Sequence, residues 1–331
     1  VDGPTHYNEV TAYNEYGIAH ICVMDQDGSH KRRLVENIVD PISAPVWSPD
    51  GSAIAFVSED GLFAVDPRGG EARRLFEGRG IADPQWSPDG SQLAFVKCRK
   101  SIYDNVSYIY IVNQDGTHLT QLESPDQTML ATPRWSFDGS QLAYSSTIDP
   151  DETQLCGLGP GTVSDSDTIT TSIVLSDKRN AFKSRLIAEG LRNFNQLLWF
   201  DGKTLAYSVR SGYCGHTLHN IDINSNSDLV IEEDANLYAW SPATYSLAYI
   251  TVCYDDNIHV RNLLSGETWT VARRGAVGYI SWSPDGIRFL ITSSEQAPTR
   301  LNVVYTETIW SISRDGQSKR LTALEPANAS P

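Results

Sequence analysis

The chain has 331 residues, with 41 Asp plus Glu against 26 Lys plus Arg, a formal net charge of −15 and 40% hydrophobic residues. Such a surface has no broad positive field for phosphate backbones or anionic headgroups, which argues against nucleic acid and membrane surfaces as partners short of a local basic patch. No apolar run approaches the roughly 20 residues that span a bilayer, and Val1-Asp2-Gly3 lacks the charged and apolar regions of a signal peptide. A mature chain or excised domain is expected, with no membrane insertion of this segment.

In chain order, residues 10–34 come first, with an alternating segment from about Ile18 and an Asp27-Gly28 turn, but no tryptophan motif before it. Trp47-Ser48-Pro49-Asp50-Gly51 follows, then a short apolar strand, Ala53 to Val57, and a second segment from Leu62. The same order recurs with Trp86 to Gly90, Gln92 to Val96 and Tyr108 onward, where Asp115-Gly116 supplies the positive φ of a tight hairpin. Trp135-Ser136-Phe137-Asp138-Gly139 leads into Gln141 to Tyr144 and a segment from Ser172. Trp199-Phe200-Asp201-Gly202 leads into Thr204 to Tyr207 and Thr217, and Trp240-Ser241-Pro242 into Ser246 to Ile250 and Ile258. Trp282-Ser283-Pro284-Asp285-Gly286 comes last, with Arg288 to Ile291, a segment from Thr308 and the Asp315-Gly316 turn.

The tryptophans lie 39, 49, 64, 41 and 42 residues apart, the period of propeller blades rather than helical solenoids. No segment sustains a helical period, and the best window, Ala181 to Glu189, is short and broken. Each unit predicts four antiparallel strands, so the fold class is all-β and residues 1–331 form a single β-propeller domain. Second segments number seven against six tryptophan motifs. A seven-bladed propeller is therefore expected, with the C-terminal tail supplying the missing first strand of the N-terminal blade and closing the ring. The alternative is six blades and a loose N-terminal hairpin.

The Trp-Ser-Pro-Asp-Gly turns, together with Cys22-Val23-Met24-Asp25-Gln26-Asp27-Gly28 and Lys319-Arg320-Leu321-Thr322, resemble the TolB-type, WD-repeat-like β-propeller family over nearly the whole chain. The resemblance implies a propeller fold. For function it implies a range, from periplasmic interaction proteins through propeller caps on serine peptidases to a few propeller enzymes.

The repeated tryptophans suit inter-blade packing and the Pro-Asp-Gly groups suit turns. Asp25 to Gly28 and Asn113 to Gly116 lack the later ligands of a calcium loop. Length variation falls on the face that joins strands two to three and blade to blade: 97–106, 145–171, 209–216 and 293–307. Long insertions on a regular scaffold mark that face as the candidate binding surface. Tyr103, Tyr213 and Tyr254 lie in it as aromatic anchors. Residues before the tryptophans, namely Asp40, Asp83, Thr132, Asn195, Asn236 and Tyr279, form a candidate polar ring at the channel mouth for a ligand or peptide end.

Cys98, Cys156, Cys214 and Cys253 belong to the same face, and Cys22 to a strand. Cys156 and Cys214 are a candidate disulfide, with Cys98 or Cys253 as alternative partners, since spacing alone does not fix connectivity. His216 or His259 with Asp255 and Asp256 is a weak candidate metal site; His216 and His219 would share a metal only if His216 lies in a loop. There is no Gly-x-Ser-x-Gly elbow, phosphate loop or dinucleotide fingerprint. The expectation is a monomeric, non-catalytic propeller, periplasmic or on the cell surface, that binds a protein or peptide and requires no cofactor. Its signal or anchor segment is absent from this chain. The alternatives are a metal-assisted enzyme acting on a carbohydrate or other small ligand, resembling the oligogalacturonate lyases, and a sensor domain of a larger membrane protein.

Overall fold

The computed structural model describes residues 6–11, 18–25, 29–39, 43–100, 106–123, 128–148, 169–211, 215–241, 243–251, 257–272, 276–283, 285–298, 303–313 and 316–323. These residues are almost entirely β, interrupted among the described residues by one short 3-10 turn, Lys178–Asn180. The chain divides into two compact units, Val1–Arg210 with His219–Leu229, and Ser211–Leu218 with Val230–Pro331.

The first unit opens with a three-stranded antiparallel sheet of β1 (His6–Thr11), β2 (Ile18–Asp25) and β3 (Arg32–Val39). A four-stranded sheet follows, with β4 (Val46–Trp47), β5 (Ile54–Ser58), β6 (Gly61–Val65) and β7 (Arg73–Glu77). The same antiparallel order is repeated by β8 (Ile81–Trp86), β9 (Gln92–Cys98), β10 (Ser107–Asn113) and β11 (Thr120–Gln121). It is repeated again by β12 (Met129–Trp135), β13 (Gln141–Ile148), β14 (Thr170–Asp177) and β15 (Lys183–Leu191). The window from Ala181 to Glu189 is thus largely strand, as its broken helical period requires. Next come β16 (Phe194–Trp199), β17 (Thr204–Ser211) and β18 (Gly215–Asp222). In the second unit, the later part of β19 (Asp228–Ser241) pairs with β20 (Ser246–Thr251), then β21 (Asn257–Asn262) and β22 (Thr268–Ala272). β23 (Ala276–Trp282), β24 (Arg288–Pro298), β25 (Val303–Ser313) and β26 (Ser318–Ala323) complete it.

The first hairpin of four of the repeats is set by side-chain chemistry. Ser48 Oγ donates to Asp50 Oδ1 at 2.6 Å, the Ser52 amide donates to the same oxygen, and the Ala53 amide donates to Ser48 Oγ at 2.9 Å. Gly51 closes the turn at φ 69°, where a Cβ would be strained. The geometry repeats at Ser87/Asp89 and Ser136/Asp138, and in the second unit at Ser283/Asp285. The Ser87 and Ser136 hydroxyls hold the carboxyls of Asp89 and Asp138 down to about 2.

The apolar cores lie between consecutive sheets. Ala55, Val57 and Leu62 of one sheet pack on Trp86, Leu93 and Phe95 of the next; Ile109 and Ile111 pack on Trp135, Leu142 and Tyr144 in the same way. In the second unit Ile258 and Val260 meet Phe289 and Ile291. An inner sheet therefore has both faces covered, which is why Ile54 to Val57 and Leu93 to Val96 are unbroken buried runs rather than alternating ones. The Leu-Ala-aromatic pattern places a ring opposite the third strand: Phe56 stacks on Phe63 at 5.5 Å, Phe95 on Tyr110 at 5.8 Å, Tyr207 on His219 at 4.8 Å and Tyr249 on His259 at 5.3 Å.

Two kinds of polar stitch join neighbouring sheets. Near the innermost strands, Trp86 Nε1 donates to the Val46 carbonyl at 3.1 Å, Trp199 Nε1 to that of Arg134 at 2.9 Å, and Trp282 Nε1 to that of Ala239 at 3.0 Å. Each acceptor immediately precedes the tryptophan of the preceding unit. Along the outer strands of the first unit, Arg32, Arg73 and Arg185 donate to the carbonyls of Pro67, Gln114 and Ile223 in the next sheet's third hairpin turn.

Two outcomes follow from these bonds. Trp199→Phe keeps most of the ring but leaves the Arg134 carbonyl unpaired; it is expected to cost about 2 kcal/mol in denaturant unfolding. An unchanged midpoint would show that the indole acts by packing alone. For Asp89 and Asp138 the folded pKa is depressed, so their contribution is complete above the ordinary carboxylate value and disappears as pH falls through about 2. The D89N/D138N double variant should therefore melt below the parent at about pH 6 and converge with it near pH 2.

Candidate functional site

The innermost strand of each described unit that is long enough to show it carries one extra residue. In the first unit the register slips between Ala82 and Gln85 in β8, Ala131 and Arg134 in β12, and Phe194 and Gln196 in β16. In the second it slips between Asn236 and Tyr238 in β19 and between Val277 and Tyr279 in β23. Each bulge sits shortly before the tryptophan, and bulges of this kind re-aim side chains beside functional sites.

Asp83, Thr132 and Asn195 lie on the three bulges of the first unit. Asn236 and Tyr279 border those of the second. Asp83 (φ 48°) and Thr132 (φ 51°) are left-handed, each directly before a proline, Pro84 or Pro133. A β-branched residue in this region is an outlier, and each such position costs about 1–3 kcal/mol that surrounding contacts must offset. Thr132 is buried, with Oγ1 donating to Ser145 Oγ at 3.0 Å, while Asn195 is half-buried. Asp40 lies outside the described residues; three residues before Trp47 the equivalent position is Ala44, which is exposed.

Asp83 is tied to a residue that the sequence reading passed over. Arg134 Nη1 donates to both Asp83 carboxylate oxygens, at 3.1 and 3.0 Å, and to the Pro133 carbonyl at 2.8 Å. Gln85 Nε2 donates to Asp83 Oδ1 at 3.2 Å, and the Asp83 amide donates to Ser43 Oγ at 2.8 Å. The cluster joins β8, β12 and the segment before β4, with the Arg134 and Asp83 side chains 23% and 31% exposed. The sequence signal that could have found it is the triplet Ala44-Pro45-Val46-Trp47, Asp83-Pro84-Gln85-Trp86 and Thr132-Pro133-Arg134-Trp135, where a proline stands two residues before each tryptophan and lies in the bulge of the second and third.

Tyr103, Tyr213, Tyr254, Asp255, Cys156, Cys214 and Cys253 lie outside the described residues. Two expected insertions are shorter than the sequence suggests. β17 runs to Ser211 and β18 begins at Gly215, while β24 and β25 stay paired from Arg288↔Ser313 out to Pro298↔Val303, so the hairpin ladder takes up most of 293–307. His216 is consequently in a strand, and strand residues three apart face opposite ways, so it does not share a metal with His219. His219 and His259 instead occupy the aromatic stacking position, and His219 Nδ1 also lies 3.2 Å from Asp228 Oδ2. Tyr207 donates to that same oxygen at 2.6 Å; burial, then this bond, push its hydroxyl pKa well up. Among the described residues no group of three or more His, Cys, Asp or Glu side chains is placed to hold a metal ion. Cys98, which the sequence offers as an alternative disulfide partner, is wholly buried at the end of β9, while Cys22 is a buried free thiol.

Four-stranded antiparallel sheets stacked face to face, joined near their innermost strands by indole bonds, define a β-propeller. Residues 5–155 match the model of the TolB beta propeller domain. A stretch of 79 residues is 33% identical to the Tol-Pal system protein TolB of Alkalilimnicola ehrlichii, covering 23% of this chain and 18% of that relative. Among solved structures, a puromycin hydrolase complex superposes with a TM-score of 0.72 at 15% identity, over 99% of this chain and 54% of that one. The oligogalacturonate lyase of Vibrio parahaemolyticus gives 0.67 at 12% identity, over 98% and 86%. The chain thus spans about half the length of the hydrolase and under a fifth of the matched TolB. At these identities the two structures share its fold.

The cysteine chemistry gives a direct check. In denaturant without reductant, iodoacetamide should label Cys22 and leave Cys98 unmodified, and reductant should open Cys98 to labelling. Labelling of Cys98 before reduction, read by peptide mass spectrometry, would rule out Cys98 as a disulfide partner.

Proposed function

We propose that this protein is a non-catalytic β-propeller that binds a protein or peptide partner through its loop-rich face and the mouth of its channel. The observation that carries the reading is the bulge recurring at one level of the innermost strands, with left-handed Asp83 and Thr132 on two of them. A packing-only scaffold gains nothing from repeating a strained, ladder-breaking residue there. In this reading Asp83, Thr132, Asn195, Asn236 and Tyr279 line the mouth, and Tyr103, Tyr213 and Tyr254 are anchors in the surrounding loops. Seven blades form the ring, with the C-terminal tail from Glu325 to Pro331 supplying the missing first strand of the N-terminal blade. In this reading Cys98 is held in a disulfide, which fits an oxidising, extracytoplasmic location, periplasmic or at the cell surface. The protein acts as a monomer and requires no cofactor.

The test uses Tyr213→Ala/Tyr254→Ala immobilised beside the parent and cross-linked in native extract, with both proteins checked for equal melting. Partner recovery is expected to fall about tenfold, as for truncated aromatic anchors. Equal recovery by the folded variant would remove the loop face as the binding surface.

A further inference from the structure

We infer that Arg134 is a carboxylate-recognition residue of the channel mouth, taking the C-terminal carboxylate of a bound peptide; the inference rests on the peptide-binding reading above. The argument begins with a count of donors. A guanidinium has five N–H groups. Both hydrogens of Arg134 Nη1 are engaged, one shared by the two oxygens of Asp83 and one given to the Pro133 carbonyl. Among the described residues the three hydrogens on Nη2 and Nε take no partner. These two nitrogens form the edge that matches a carboxylate with two parallel hydrogen bonds.

That edge is held in place from two directions. The Arg134 backbone carbonyl accepts the Trp199 indole bond at 2.9 Å, which fixes the strand. The side chain is pinned by Asp83, whose own backbone is left-handed and whose amide is tied to Ser43. The Arg134 side chain as a whole is 23% exposed, so it is largely desolvated yet in contact with solvent. An immobilised, partly desolvated fork with an unused bidentate edge spends little ordering entropy on a ligand. Asp83 neutralises the charge locally and the chain carries −15 overall, so the site recognises by geometry rather than by attraction at a distance. One bidentate contact of this kind corresponds to a dissociation constant on the order of 1 mM for a minimal peptide.

Arginine-selective 15N labelling of the full 331-residue chain provides the readout. The probes are acetyl-Gly-Gly-Ala with a free carboxylate, the same peptide as its C-terminal amide, and acetyl-Gly-Glu-Gly-amide. Arg134→Gln assigns the Arg134 Nε–Hε signal. The free-carboxylate peptide is expected to shift that signal with saturation, and the amide is not. A response to the Glu peptide as well keeps the carboxylate chemistry and assigns its source to acidic side chains too. Arg134→Lys keeps the charge without the fork and should bind about fivefold more weakly, read from the Trp199 indole signal in parent and variant labelled with 15N-tryptophan; this variant serves if Arg134→Gln does not fold. No shift with any probe up to about 20 mM, an equal shift with the amide, or undiminished binding by Arg134→Lys would each overturn the assignment. Tyrosine-dependent capture that persists while Arg134 fails these tests rejects the carboxylate role alone.

Discussion

The indole bond from one innermost strand to the backbone of its neighbour is the contact on which the stacking depends. Apolar burial between sheets is large but non-directional, so it favours contact without fixing how far one sheet slides along the next. The bonds from Trp86, Trp199 and Trp282 are directional, and each acceptor lies one residue before the equivalent tryptophan. The serine that follows each of Trp47, Trp86, Trp135 and Trp282 organises the first hairpin, so five or six residues set both the turn within a sheet and the offset between sheets. Trp135 shows what happens when the bond is absent. Its Nε1 finds no acceptor among the described residues, and its ring is held instead edge-on to Phe182 at 6.3 Å, with Lys178 Nζ 5.8 Å from the centroid.

The turns and strands were legible because their causes are local. Ser-Pro-Asp-Gly encodes its own hydrogen bonds, and Leu-Ala-aromatic encodes a strand with a ring on one side. Third strands at Leu62, Tyr108, Ser172 and Ile258 begin within two residues of where the alternation places them. What stayed hidden depends on neighbours remote in sequence. Nothing local singles out Arg32, Arg73 or Arg185, yet each reaches a carbonyl about 35 to 41 residues onward. Arg134 was silent for the same reason, since its partner lies 51 residues before it. The segments 209–216 and 293–307 misled because Ser, Gly, Gln and Pro suggest loops, whereas β17 extends to Ser211, β18 begins at Gly215, and the β24–β25 ladder reaches Pro298 and Val303.

The candidate site and the stability of the fold share parts. The carbonyl that receives the Trp199 bond belongs to the residue whose side chain holds Asp83, and Asp83 is one of the two strained bulge positions. Stacking energy thus positions a guanidinium, and the guanidinium in turn restrains a backbone that its own sterics disfavour. Such coupling keeps a small polar cluster in one arrangement without a dedicated shell around it.

The long hairpin of β24 and β25 departs from its own sheet. β23 pairs with β24 only as far as Ser294, and β26 meets β25 only from Thr308 onward, yet β24 and β25 remain paired to Pro298 and Val303. The last four residues of each arm therefore form a two-stranded ribbon, about 13 Å long at strand rise. Neither edge of this ribbon has a sheet neighbour among the described residues. Half of its backbone groups face outward from the ladder and depend on water, so its amides should exchange through local opening well before those of the parent sheet. The ribbon is thus a segment whose order is tied to the solvent around it more than to the core beneath it.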